Sequence, residues 1–193
     1  MRDLAPQQFV EWSYALQRSD QDAYADLYDK TYDALYRFVW FITRSKPATE
    51  DVLQELYIKL WSIREKADPE RSLKALMYQM ARNFALNHQR SRKRHTHDSI
   101  DDEDSLYEPS TDSTTLADLA ADDLEANIHA WIEELPPRRR EAFRLSRFEN
   151  LSHEEIATAM GLTPKTVNNH IVLALQQLRS KLNALDSDAF SYV

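Results

Sequence analysis

Residues 152–171 carry side chains with the donors and acceptors needed to read the edges of base pairs. Thr163, Lys165, Thr166, Asn168, Asn169 and His170 stand within about two helical turns of one another. An asparagine carboxamide can bind adenine bidentately, and a lysine favours guanine or phosphate. Such a set works only if a helix holds it outward, and the flanking residues supply that helix. Ser152 and Glu155 make the S-x-x-E capping box that opens a first helix, and Gly161, the only glycine in the chain, suits a left-handed residue at its end. Thr163-Pro164 is then an N-cap followed by proline at the first helical position of a second. Ile156, Ala157, Met160, Leu162 and Val167 fall at the spacings where two crossing helices pack together. The polar set is left on the outer face of the second helix, as in a helix-turn-helix that enters a major groove. His170 has two readings, DNA contact or a half-buried structural role.

Two further sets lie upstream. From Arg71 to His97 the charged residues are Arg71, Lys74, Arg82, Arg90, Arg92, Lys93 and Arg94, with no Asp or Glu among them. Guanidinium and ammonium groups neutralise phosphates, whereas amides and an aromatic ring hydrogen-bond to or stack on unpaired bases. Tyr78, Arg82, Asn83, Asn87, Arg90, Arg92 and Lys93 therefore suit a melted strand. Earlier still, Asp51, Gln54 and Glu55 fall within one helical turn beside an apolar stripe. That acidic and amide patch can take an arginine-rich partner helix, with Leu60 and Trp61 as apolar anchors. Spacing alone leaves open a solvated face with Trp61 in the core.

Composition removes several classes of function. The chain has no cysteine, which excludes disulfides, thiolate metal sites and cysteine nucleophiles together. One glycine cannot build a phosphate-cradling loop, and no serine, histidine and carboxylate set has motif context, so no enzyme and no cofactor is expected. His95, His97 and Asp98 lack a fixed third helical ligand, and no metal site is expected. Without an apolar run of about 18 residues or a leading charged-then-apolar segment, no membrane insertion is expected, and the cytoplasm is the compartment. A net charge of −8 argues against nucleic acid only if it is spread evenly. It is not: between Asp98 and Glu125 every charged residue is an acid. A basic block feeding an acidic one implies separate partners, or a tail that competes with DNA for one surface.

Helical periodicity runs throughout and no alternating strand occurs, so the fold class is all-α. The first helix spans about 6–18 and buries Phe9, Trp12 and Leu16. The second runs from an Asp20 cap to about Thr43, with Leu27, Tyr28, Leu35, Phe38, Val39 and Ile42 inward, and ends at the Ser45-Lys46-Pro47 break. The third spans Thr49 to about Lys66 with Val52, Leu53, Leu56, Leu60 and Ile63 inward. Asp68-Pro69 caps the fourth, which carries Leu73, Leu76, Met77, Met80, Ala81 and Phe84 inward. Residues 95–115 are rich in Asp, Ser and Thr and read as an exposed linker. Periodicity returns with Leu116, Leu119, Leu124, Ile128, Trp131, Ile132 and Leu135, pauses at Pro136-Pro137, and continues through Phe143 and Leu145 into the helix-turn-helix and on to Leu175, Leu178 and Leu182. The predicted domains are residues 1–94 and 116–193, two small helical units.

Two segments in this order resemble the sigma-70 type RNA polymerase initiation factors in their two-domain, extracytoplasmic-function form. Thr49 to Trp61 is similar to that family's polymerase-binding helix, and Met80-Ala81-Arg82-Asn83 with Arg90 to its −10 promoter reader. Leu135-Pro136-Pro137-Arg138 through Phe143, then Leu151-Ser152 to Val167, resembles its −35 domain. The resemblance implies a region 2-like domain at 1–94 and a region 4-like domain at 116–193. It implies core RNA polymerase and promoter DNA as partners, duplex at −35 and melted at −10, with an anti-sigma factor as a further partner. Leu76 and Asn87 depart from the tryptophan and aspartate of many relatives. Asn150 stands where relatives often have glycine, and asparagine tolerates a left-handed backbone. Arg138, Arg139, Arg140, Arg144, Arg179 and Lys181 are assigned to the DNA backbone or polymerase. The linker is either a solvated tether or an acidic mimic of nucleic acid that threads the polymerase channel. The competing reading is a helix-turn-helix regulator that binds duplex DNA without polymerase; a response regulator would show strands alternating with helices in its N-terminal half.

Overall fold

The computed structural model describes residues 1, 4–95 and 126–190, and among them every regular element is a helix. Helix α1 spans Pro6–Gln17, α2 Gln21–Thr43, α3 Lys46–Ser62 and α4 Leu73–His95. A helix over residues 126–133, α5, precedes α6 (Pro137–Arg147), α7 (His153–Met160) and α8 (Pro164–Phe190). The linker acids and the periodic residues Leu116, Leu119 and Leu124 lie outside the described residues, as do His97 and Asp98.

Local chemistry sets most of the boundaries. Asp20 caps α2 by accepting from the backbone N–H groups of Asp22 and Ala23 at 3.1 and 3.0 Å. Helix α3 begins three residues before the predicted Thr49, because Pro47 lies in its first turn, where a missing N–H costs nothing. It stops at Ser62, and a short 3₁₀ turn, Arg64–Lys66, follows in place of the predicted continuous helix. The cap of α4 is Ser72, whose Oγ accepts from Ala75 N–H at 3.1 Å. Asp68, the predicted cap, instead closes the preceding turn by accepting from Glu70 N–H at 3.0 Å.

Helices α2, α3 and α4 pack around Leu27, Leu35, Leu53, Leu56, Leu60 and Met77, and α1 lays Phe9, Trp12 and Leu16 on them. Trp12 Nε1–H donates to Asp26 Oδ2 at 3.1 Å, tying α1 to α2. The same core continues across α4 to Ala142, Leu145, Leu151, Ile156 and Val167. A smaller cluster of Ile132, Leu135, Phe143 and Ala174 joins α5, α6 and α8. Four predicted core positions face outward instead: Tyr28 on α2, Ile128 on α5, and Leu175 and Leu182 on α8. Helix α4 thus lies between the N-terminal and C-terminal helices and packs against both.

Candidate nucleic-acid interface

The turn before α8 is built as its residue types require. Ser152 N–H donates to Glu155 Oε2 at 2.9 Å and Glu155 N–H donates to Ser152 Oγ at 3.2 Å, completing the capping box. Gly161 ends α7 at φ 65°, where an L side chain is disfavoured by its own backbone. Thr163 Oγ1 accepts from Thr166 N–H at 3.2 Å to start α8, and buried Val167 pins it to α7. Asn150 takes a left-handed φ of 53° in the loop before α7, within the range asparagine accepts. Thr163, Lys165, Asn168 and Asn169 are exposed on one side of α8. Thr166 and His170 are half-buried, and the Thr166 hydroxyl bonds to that of Thr163 at 2.9 Å. This is a row of polar groups on a turn fixed by its own caps.

On α4 the cationic stretch divides into two parts. Asn83, Asn87, Arg90 and Arg92 are exposed, and Arg90 Nη1 donates to Asn87 Oδ1 at 3.3 Å. Lys93 lies in the last turns of the same helix. By contrast, Lys74, Tyr78 and Arg82, spaced four residues apart, face the C-terminal helices. Tyr78 is fully buried and its hydroxyl donates to Glu149 Oε2 at 2.6 Å. Burial first, then the Glu149 carboxylate, holds this phenol well above its ordinary pKa. A ring so enclosed cannot stack on a base, so the predicted role of Tyr78 does not hold in this arrangement. Arg82 Nε donates to Glu141 Oε1 at 2.6 Å and its Nη2 to Oε2 at 3.3 Å; the two side chains are 17% and 12% exposed. Lys74 Nζ donates to the carbonyls of Glu149 and Asn150 at 2.7 and 3.1 Å, and burial lowers its pKa.

Several C-terminal cations are committed too. Arg140 Nη1 meets Glu133 at 2.6 Å, Arg44, just after α2, meets the same carboxylate at 2.8 Å, and Arg144 covers the Phe41 ring at 4.5 Å. Desolvation lowers the Arg144 pKa. Arg139 donates to Gln177 at 3.0 Å, and Lys181 pairs with Glu134. Arg138 and Arg179 are exposed.

A separate feature lies between α2 and α3, a groove of about 660 Å³ walled by Tyr24, Tyr28, Tyr32, Tyr57 and Trp61, with Glu50 and Gln54 along it. Asp51, Gln54 and Glu55 are all exposed on α3 beside it. Leu60, in contrast, is 1% exposed and belongs to the core, which corrects its assignment as an anchor. Trp61 packs on Tyr24 at a centroid distance of 4.8 Å and remains half-exposed. Burial raises Tyr24 to about 12 and raises Tyr57 as well, so both phenols are neutral at ordinary pH. Tyr24 donates to the Tyr57 carbonyl at 2.7 Å. Sequence reasoning missed this aromatic wall. Its signal was present as Tyr24, Tyr28, Tyr32, Tyr36 and Trp40, one aromatic every fourth residue of α2.

Among the described residues no group of three or more His, Asp or Glu could hold a metal ion, and no helix is long and apolar enough to cross a membrane. Comparison with known proteins places two families on the chain, Sigma-70 region 2 over residues 27–95 and Sigma-70, region 4 over residues 125–178. The RNA polymerase sigma-H factor of Pseudomonas aeruginosa is 29% identical over 191 residues, covering 95% of this chain and 96% of that protein. The ECF RNA polymerase sigma factor SigK of Mycobacterium tuberculosis is 25% identical, over 85% of this chain and 88% of its own length. Among solved structures, CnrH in complex with the cytosolic domain of CnrY aligns with a TM-score of 0.64 at 20% identity, covering 92% of this chain and 98% of that one. The sigma factor RpoE in complex with the anti-sigma factor NepR from Bartonella quintana aligns at 0.62 and 22%, covering 82% and 97%.

Proposed function

Because the chain belongs to the sigma-70 family, as an extracytoplasmic-function RNA polymerase sigma factor that directs polymerase to promoters, we propose a specific division of labour among its residues. The exposed row Thr163, Lys165, Asn168 and Asn169 reads the −35 duplex from the major groove, with Thr166 and His170 at its edge. Asn83, Asn87, Arg90 and Arg92, with Lys93, bind the melted −10 strand, and Arg82 joins them once released from Glu141. Residues 1–94 form the polymerase-binding and −10 unit, 95–115 the linker, and 116–193 the −35 unit. Core polymerase docks on the tyrosine groove and the Asp51, Gln54 and Glu55 face, with Trp61 as the apolar anchor.

The observation that carries this reading is the order of the two family matches, region 2 then region 4, along a chain whose relative from Pseudomonas aeruginosa matches it almost end to end. A regulator acting without polymerase is not favoured, since its N-terminal half would not match region 2. The chain is not itself an enzyme and works in the cytoplasm, where polymerase and promoter DNA meet. It takes an anti-sigma factor as a further partner, a reading supported by the similar fold of RpoE, which was solved in complex with NepR. Sequencing the transcripts made in vitro by core polymerase plus this chain tests the reading. Start sites sharing one −35 and one −10 sequence are expected. Transcripts with no common upstream elements, or tight specific duplex binding by the free chain, would count against it.

A further inference from the structure

The outer face of α8 that carries Lys165, Asn168 and Asn169 has an apolar residue at its centre. With about 100° of turn per residue, Val172 lies about 20° from Lys165 around the helix axis, and between Asn168 and Asn169 one turn further on. It stands about 140° from Val167 and about 160° from Ala174, the two fully buried residues of the inner face. Val172 is 41% exposed and belongs to neither core cluster of the described residues. Leu173 is equally exposed but lies about 100° further round, on the flank of the face. The rise from Lys165 to Val172 is about 10 Å, the length of about three base pairs.

An isopropyl group neither donates nor accepts a hydrogen bond. Pressed on the polar edge of a guanine, adenine or cytosine, it strips water from that edge and returns no bond, which costs free energy. The major groove offers such a group one apolar partner, the 5-methyl of thymine. A valine in a helix also holds a single strongly preferred rotamer, so its two methyls are presented with little entropy left to lose.

We propose that Val172 is a specificity-determining residue of the −35 interface: its isopropyl group packs on the 5-methyl of a thymine about three base pairs along the groove from the base that Lys165 meets. The inference rests on the −35 role proposed for α8. It adds to that reading one residue, the base that this residue selects, and the spacing of that base from the polar contacts. One end of the element is then read by hydrogen bonds and the other by burial of a methyl group.

The test uses the full chain bound to core polymerase and a promoter taken from its own transcripts, with each thymine of the −35 element, on either strand, replaced in turn by deoxyuridine. Uracil keeps the hydrogen-bonding groups of thymine and lacks only the methyl. One thymine, about three base pairs from the base at which Lys165→Ala relaxes preference, should bind about fourfold more weakly as uracil, the scale of burying one methyl group. In Val172→Ala the two bases should bind alike, near the wild-type level on uracil, whereas Leu173→Ala should keep the difference. An element with no thymine at that spacing overturns the proposal, as does wild-type binding that is indifferent to uracil at every position. A difference that persists in Val172→Ala marks an effect of DNA shape and counts equally against it. So does a Val172→Ala loss of the same size on both templates, the mark of a contact with polymerase. Val172→Ala removes no buried group, and its circular dichroism should be native. Failure of the functional reading is seen elsewhere, as wild-type chain plus core polymerase making no transcripts that share a −35 element.

Discussion

The N-terminal part of α8 and the middle of α4 carry the same kinds of side chain, cations and carboxamides, but hold them in opposite states. On α8, Lys165, Asn168 and Asn169 project into solvent from a turn whose caps are all satisfied locally. On α4, Lys74, Tyr78 and Arg82 are spent on contacts with distant residues, whereas Asn83, Asn87, Arg90 and Arg92 are exposed. The difference follows from what each surface is proposed to bind. A duplex groove has fixed geometry and rewards a rigid row of donors. A melted strand has no fixed groove, so the exposed Asn83, Asn87, Arg90 and Arg92 proposed for it need no such row.

Stability measurements can break this contrast. Tyr78→Ala removes a fully buried ring and strands the Glu149 carboxylate, so urea unfolding should show a loss of about 3–5 kcal/mol, whereas Asn169→Ala should change stability by less than about 0.5 kcal/mol. Similar losses in both would erase the distinction between the two helices. Arg82→Ala is expected to cost about 2 kcal/mol by leaving Glu141 partly buried without its partner. Adding Glu141→Ala should then cost less than the sum of the single changes, and strict additivity in the cycle would mean the pair is not coupled.

Alkaline titration sharpens the same comparison. Burial raises the pKa of Tyr24, Tyr57 and Tyr78 in the folded chain. Above about pH 10 the unfolded chain releases phenolic protons that the folded chain keeps, so stability falls with rising pH. Lys74 acts with the opposite sign: its lowered folded pKa means that the cost of burying its charge is relieved as pH approaches 10.5. Tyr78→Phe should make the decline between about pH 10 and 12 shallower by about 1.4 kcal/mol per pH unit, one proton's worth. An unaltered slope would show that Tyr78 is exposed in solution. The smallest stability effect belongs to Lys165→Ala and Asn168→Ala, within about 0.5 kcal/mol. Their expected signature is selective: run-off from cognate promoters should drop about tenfold or more while promoters with altered −35 elements change little, and equal loss everywhere would exclude direct readout.

What could be read from sequence divides along the same line. The caps at Asp20, Ser152 and Thr163 and the left-handed Gly161 and Asn150 depend on neighbours within a few residues, and each is where its residue type implies. The start of α3 is obscured because Pro47 reads equally as a breaker and as a first-turn residue. Tyr28, expected inward, is exposed, and Leu60, inward as its stripe implies, is too buried to serve as a docking anchor, because periodicity locates a helix's apolar stripe without saying which edge of it a second helix covers. The partners of Tyr78 and Lys74 are invisible in the sequence because they lie 71 to 76 residues away, and no local pattern encodes a contact at that separation.

Helix α8 runs unbroken for 27 residues from the recognition turn to Phe190, a rod of about 40 Å. Mechanically it is a lever with its fulcrum where Val167, Ile171 and Ala174 pack on the core. A tilt of about 10° swings the far end by several ångströms while moving Lys165 and Asn168 only slightly, but it changes the angle at which they meet a groove. Exposed Leu182 and Leu185 lie on the long arm. Whatever holds that arm sets the pitch of the row proposed to read the −35 duplex, without touching DNA.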